Sequence, residues 1–320
     1  MNSWNTGGGF AILAVFVTIL VSGSAVASGT MTPRADRHSC NGGSMPTSEA
    51  FDPTNHLMYV SDSGDGNVTL LEGTCTVYAT FQVGPSYFLS DVYDPSDHLV
   101  FVSDFSNNEV FFIDGTSVTG VVKSSQLDGV SFLAYDPLLN DIWATNNGGN
   151  TVTLLNSSGV QKSEPVGECP LGIAFSSRSE TMTVANLCSN TVTILNASSG
   201  NPIRTFGVGS SPYDVAYNPD SHLIYVSNCG SNNISVVSST GVVRSVPVGK
   251  YPQELAFDPR THQMFVANGH SNSVSIVNSS YSIQTDRFPA GTFPYGVGYD
   301  PATGVIFVTG LLSDEVYVIR

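Results

Sequence analysis

Lysine is nearly missing from this chain. Lys123, Lys162 and Lys250 are all it has in 320 residues, against 26 acidic side chains, and the formal net charge is -15. Binding to duplex nucleic acid needs clustered Lys and Arg to displace counterions, so nucleic acid is not expected as a partner. Charged residues of both signs reach only 12%, about half the usual ~25%. So few ion pairs are available to lose at low pH, and this points to an acidic habitat. No C-x-x-C pair occurs, which removes the usual zinc and thiol-redox readings. Long apolar runs are lacking as well. The one candidate, Phe10 to Val21, falls short of the ~20 residues of a membrane span. It precedes Ala25-Val26-Ala27 and reads as the core of a signal peptide over residues 1–27, although its leading segment MNSWNTGGG has no Lys or Arg. Residues 28–320 are then expected to be a single exported domain, secreted or at the cell surface, with no membrane span.

The chain is rich in repetition. An aromatic stands at Phe51, Tyr93, Tyr135, Phe175, Tyr217, Phe257 and Tyr299, at steps of 42, 42, 40, 42, 40 and 42. Such a period marks one supersecondary unit copied around an array. Asp-Pro follows the aromatic in five units and Asn218-Pro219 in a sixth, a pairing that presets a tight turn. His56, His98, Asn140, His222, His262 and Gly304 stand five residues past the aromatic. Gly, Asn and His tolerate positive φ, so a turn role accounts for these histidines without catalysis. A short apolar strand follows, MYVSD at 58 or IYVSN at 224, and then a third strand such as NISVV, preceded by Asn108, Asn150, Asn190, Asn232 or Asn272. An Asn there satisfies backbone groups in the turn. Four strands per unit and seven units predict an all-β fold, a seven-bladed β-propeller. The last unit reaches Arg320 just after its third strand. An open edge there invites aggregation, so the segment about Thr30–Cys40 is expected to supply the outer strand of blade seven.

The run aromatic-Val-Ser/Ala/Thr-Asn, with Asp-Pro upstream and Ser-Asn-x-Val-x-Ile downstream, resembles the YVTN-type β-propeller repeat over about residues 40–320. Unit four departs from it with Ser176-Ser177 and Thr183, and unit seven ends its second strand on Gly310. The resemblance implies a surface or secreted propeller of archaeal or bacterial type. That family is similar in fold to lactonases and lyases whose channels carry His, Glu and Arg, but no residue set here maps onto those sites.

Candidates for chemistry gather in the loops and innermost strands on one face. Tyr87, Tyr213, Tyr251, Phe293 and Tyr295 are expected to form an aromatic rim for a protein or glycan partner, or else to pack between blades. Glu49, Asp91, Asp214 and Glu254 are candidate Ca²⁺ ligands in the channel, or simply solvated rim charges. No cofactor is firmly implied. Of five cysteines, Cys169, Cys188 and Cys229 fall in neighbouring loops and make a candidate disulfide pair, and Cys40 with Cys75 a second. His38 and His270, the two histidines outside the turn position, make no catalytic set by themselves. The main expectation is therefore a non-enzymatic exported binding or scaffold protein acting through its channel-mouth loops. The alternative is a small-molecule hydrolase or lyase of lactonase-like type with a metal at the channel.

Overall fold

The computed structural model describes residues 35–38, 46–62, 64–72, 76–85, 88–289, 292–301, 303–310, 312 and 315–319. Cys40, Cys75, Tyr87 and the apolar N-terminal segment lie outside them. Among the described residues no helix is long and apolar enough to cross a membrane.

Among the described residues twenty-eight strands form seven four-stranded antiparallel sheets. Their innermost strands are Pro46–Asp52, Phe88–Asp94, Val130–Asp136, Pro170–Ser176, Pro212–Asn218, Pro252–Asp258 and Pro294–Asp300. Each innermost strand neighbours the next, and the last neighbours the first, so the sheets stand as blades around a closed ring. In the final blade the outer strand is Ala35–His38, paired antiparallel with Glu315–Ile319 in the register Ala35 to Ile319 and His38 to Val316. The N-terminal segment thus completes the blade begun by the C-terminal one.

Each part of the repeat has a geometric task. The second strands are buried on both faces, and Tyr59, Phe101, Trp143, Tyr225 and Phe265 at equivalent positions are fully enclosed between blades. Burying each such ring contributes roughly 1.5–3 kcal/mol. The inner strands carry a bulge: in blade five the pairing jumps from Pro212–Asn228 to Val215–Val226. The amide freed by the bulge is met by the Ser or Thr of the second strand. Ser227 Oγ accepts from Asp214 N–H at 3.0 Å, Thr145 Oγ1 from Phe132 N–H at 3.0 Å and Thr309 Oγ1 from Gly296 N–H at 2.7 Å. The Asn closing the second strand reaches the third. Asn146 Nδ2 donates to Thr151 Oγ1 (3.0 Å) and Thr153 Oγ1 (2.7 Å), and Asn186 does the same with Thr191 and Thr193.

The turn reading of the histidines holds. His56, His98, His222 and His262 all have φ of 57–59°, matching Asn140 at 56°. His98 Nδ1 and His222 Nδ1 hydrogen-bond the repeat tyrosines Tyr93 and Tyr217 at 3.0 Å. The Asn before the third strand does more than shape its own turn. Asn150, Asn190, Asn232 and Asn272 are left-handed, and each side chain accepts a backbone N–H from the linker into the next blade: Cys169, Ser211, Tyr251 and Phe293, at 2.7–2.9 Å. These are staples between neighbouring blades. Asn190→Ala is expected to cost about 2–3 kcal/mol, because it strands the Ser211 amide and forces a Cβ-bearing residue without a local hydrogen bond into positive φ. Urea denaturation measures the loss; a change under about 0.5 kcal/mol would remove the staple from the account.

Candidate active site

Two adjacent positions of the bulged inner strand face the channel, and acidic side chains occupy both. Glu49 and Asp91 stand two residues before the repeat aromatic; Asp214 and Glu254 stand three before it. The three-before position is a second set of staples. Ser48 Oγ accepts Asp91 N–H at 2.8 Å, Ser90 Oγ accepts Leu133 N–H at 3.1 Å, Asp214 Oδ2 accepts Leu255 N–H at 3.0 Å and Glu254 Oε2 accepts Val297 N–H at 3.4 Å. Neighbouring blades make room by omitting side chains. A Cβ on Gly298 would land on the Glu49 carboxylate, and one on Gly172 would meet the Asp214 backbone at 2.5 Å.

All four carboxyls hold their protons well above the ordinary range. Burial raises Glu49 to about 7. It raises Asp214 to about 7 also, tempered by the Val215 and Leu255 amides. Asp91 is raised by burial and by the charges of Glu49 and Asp62, with the Ser61 hydroxyl opposing. Glu254 is raised by burial first and then by the charges of Asp214, Glu49 and Asp91. Asp91 and Asp214 are 8% and 9% exposed, whereas Glu49 and Glu254 keep partial contact with solvent at the channel. Unpartnered buried oxygens remain on Glu49 (Oε2) and Asp91 (Oδ2).

Above this ring, toward the face of the linkers, an aromatic plug closes the channel. Phe132 meets Tyr213 edge-on at 5.9 Å, Tyr213 meets Tyr295 edge-on at 5.8 Å, and the two phenol oxygens are hydrogen-bonded. Leu171 and Cys229 belong to the same cluster, and Tyr251 and Phe293 pack against its outer side. Cys229 is buried with Gln253 Nε2 at 3.7 Å from its sulfur, and burial pushes its thiol up to about 12, so it is no nucleophile near neutrality. Cys169 and Cys188 are joined in a disulfide.

The chain is similar in structure to streptogramin B lyase. That structure superimposes with a TM-score of 0.77 at 12% identity, covering 90% of this chain and 97% of the other. Two structures of virginiamycin B lyase from Staphylococcus aureus give the same TM-score at 13% and 12% identity, covering 90% of this chain and 99% of theirs. One of them is a catalytically inactive histidine-to-alanine variant with quinupristin. At this identity the likeness shows the β-propeller fold. A scan of protein-family models and a search of curated protein sequences each return no match.

Three expectations need correction. The main expectation, a non-enzymatic scaffold, is overturned by the comparison, in which the matching propellers are lyases. The Ca²⁺ reading of Glu49, Asp91, Asp214 and Glu254 also fails on geometry. Among the described residues no group of three His, Cys, Asp or Glu side chains is placed to hold a metal; Asp91 is bonded instead to the Ser61 hydroxyl, and Asp214 and Glu254 accept backbone amides of the next blade. Nor do the aromatics form one exposed rim. Tyr213 and Tyr295 are 5% and 2% exposed and take the alternative, packing inside, while among the described rim residues only Tyr251 and Phe293 reach the surface. Phe132 was missed; its signal was a bulky ring at a position that is Ser, Gly, Asp or Glu in every other unit.

Proposed function

We propose that this chain is a small-molecule enzyme of lyase type that uses the channel carboxyls as proton carriers. The observation that carries the reading is the Asp214–Glu254 pair on adjacent blades, two carboxyls both raised by burial, with Asp214 held by the Leu255 amide and its charge adding to the rise of Glu254. A general acid or base works best with its pKa near the operating pH, and two carboxyls separated by environment take opposite roles. Asp214, steadied as an anion by two backbone amides, is the base; Glu254, held protonated by that anion, is the acid that protonates the leaving group. Phe132, Tyr213 and Tyr295 wall the pair on one side, and Glu254 stays partly open to the channel. The lyases of the same fold support elimination as the reaction, and the repeat supports a YVTN-type relationship. The Cys169–Cys188 bond supports an extracytoplasmic site of action.

Mass spectrometry of quinupristin incubated with the protein tests the proposal. Elimination leaves the summed mass of the products equal to that of the substrate, and hydrolysis adds one water. Asp214→Asn and Glu254→Gln are each expected to lower kcat by about 100-fold or more while leaving the fold intact. Turnover that survives both changes overturns the assignment.

A further inference from the structure

Lys250 breaks its register in the repeat. The residue seven before the repeat aromatic is Asp128, Glu168, Ser210 and Thr292 in four other blades, and Lys250 in blade six. Its backbone behaves as theirs do. Lys250 O accepts His270 N–H at 3.1 Å, as Asp128 O accepts from Gly148, Glu168 O from Cys188, Ser210 O from Gly230 and Thr292 O from Leu312, at 2.9–3.1 Å. Fold geometry therefore explains a residue here but not an ammonium group. Of the three lysines, Lys123 is paired with Glu109 and Lys162 lies over Trp143. Lys250 is exposed and has neither kind of partner among the described residues.

The next residue, Tyr251, shares its register with Tyr87 and Phe293. Tyr251 sits at φ 57°, where a bulky side chain costs about 1 kcal/mol. Its ring stacks on His270 at 4.3 Å and 19°, and Phe293, also left-handed, meets His270 edge-on at 5.3 Å. In blade four the positions of Tyr251 and His270 are Cys169 and Cys188, joined covalently. Blade six thus replaces a cross-link with an aromatic platform whose outermost member, His270, is exposed. His270 rides on the 3₁₀ turn Gly269–Ser271. Beside it opens a groove of about 590 Å³ lined by Pro247, Val248, Gly249, Lys250, His270 and Ser271, among others.

An unpaired cation, a flat exposed ring and a hydroxyl on one open groove match one ligand class. We infer that this groove binds an acidic sugar, its carboxylate on the Lys250 ammonium, its ring face across His270 and its hydroxyls on Ser271 and the linker backbone. The groove is open and partly polar, which suits a hydroxylated ring better than an aromatic acid. It lies apart from the channel carboxyls and does not depend on the proposed reaction.

Calorimetric titration with trigalacturonate, against neutral galactotriose and benzoate, tests this on the full chain. Trigalacturonate is expected to bind at least about tenfold more tightly than either control, and more weakly as salt is raised. Lys250→Ala is expected to weaken it about tenfold, Lys250→Arg by less than about threefold, and His270→Ala about fivefold. Because Lys250 and His270 are exposed, the melting temperature of each variant should stay within about 2 °C of the parent, which separates lost binding from lost fold. Equal binding of the neutral sugar, equal binding of benzoate, an unaffected Lys250→Ala variant, or no binding of trigalacturonate at millimolar concentration each overturns the inference.

Discussion

The protein should melt at least about 10 °C higher at pH 5 than at pH 8. Glu49 and Asp214 are raised to about 7 and Asp62 to about 8 by burial, and Asp91 and Glu254 move the same way. A carboxyl whose folded pKa exceeds its unfolded value binds its proton more tightly in the folded state. Its contribution is fully present below about pH 4 and is lost as the pH climbs through the folded value, here about 7 to 8. Each group gives up about 1.4 kcal/mol per pH unit in that window, so Glu49 alone accounts for roughly 3 kcal/mol. The fall of net charge from -15 toward zero on acidification acts in the same direction by relieving self-repulsion. A domain of this size shifts by about 2–4 °C per kcal/mol, so even partial expression of these terms is measurable by calorimetry. Asp62→Asn supplies the internal control. Asn146, Asn186, Asn228 and Asn268 occupy that strand end in sister blades, and the change should raise stability at pH 8 by a few kcal/mol and flatten the curve. A stability maximum near pH 7 with a loss at pH 5 would sink the argument, and with it the acidic habitat proposed from the sparse charge.

Most of the fold was legible because each repeated residue answers to a local rule. Seven copies of a turn aligned His56, His98, His222 and His262 with Asn140 and Gly304, and only a positive φ makes that set coherent. What the repeat could not reveal was reach. Asn190 and its sisters looked like local turn residues, yet their side chains close on the next blade, a contact some twenty residues away that no window on one unit contains. The site was harder still, because the bulge in every inner strand breaks the alternation that assigns faces. Tyr213 and Tyr251 are two residues apart in register; the bulged strand turns the first into the plug, while the left-handed linker turns the second outward. The carboxyls were found, but not their chemistry. Solvated rim carboxylates and buried carboxyls share a sequence, and only closure of the ring removes the water that separates them.

Deleting residues 28–40 should destabilise the protein by several kcal/mol, whereas deleting residues 1–27 should leave its melt unchanged. Ala35–His38 supplies the outer strand of a sheet whose other three strands come from residues 294–319. Four ladder positions at about 1 kcal/mol per net hydrogen bond set a lower bound. The larger effect is topological. Pairing of the first strand with the last ties the chain's two ends together, so every blade between them opens only at the cost of strain elsewhere in the ring. Without it, the sheet beginning at Pro294 is held only through its inner strands, and that blade becomes the first to open. The freed edge of Glu315–Ile319 then presents unpaired N–H and C=O groups to solvent, a template for pairing with another chain. The truncated protein should therefore show both a lower urea midpoint and concentration-dependent association in analytical ultracentrifugation. A synthetic peptide spanning residues 30–40, added in trans, should restore part of the lost midpoint. If the truncated and full-length chains unfold together, the closing strand is ornamental and the ring holds by blade packing alone.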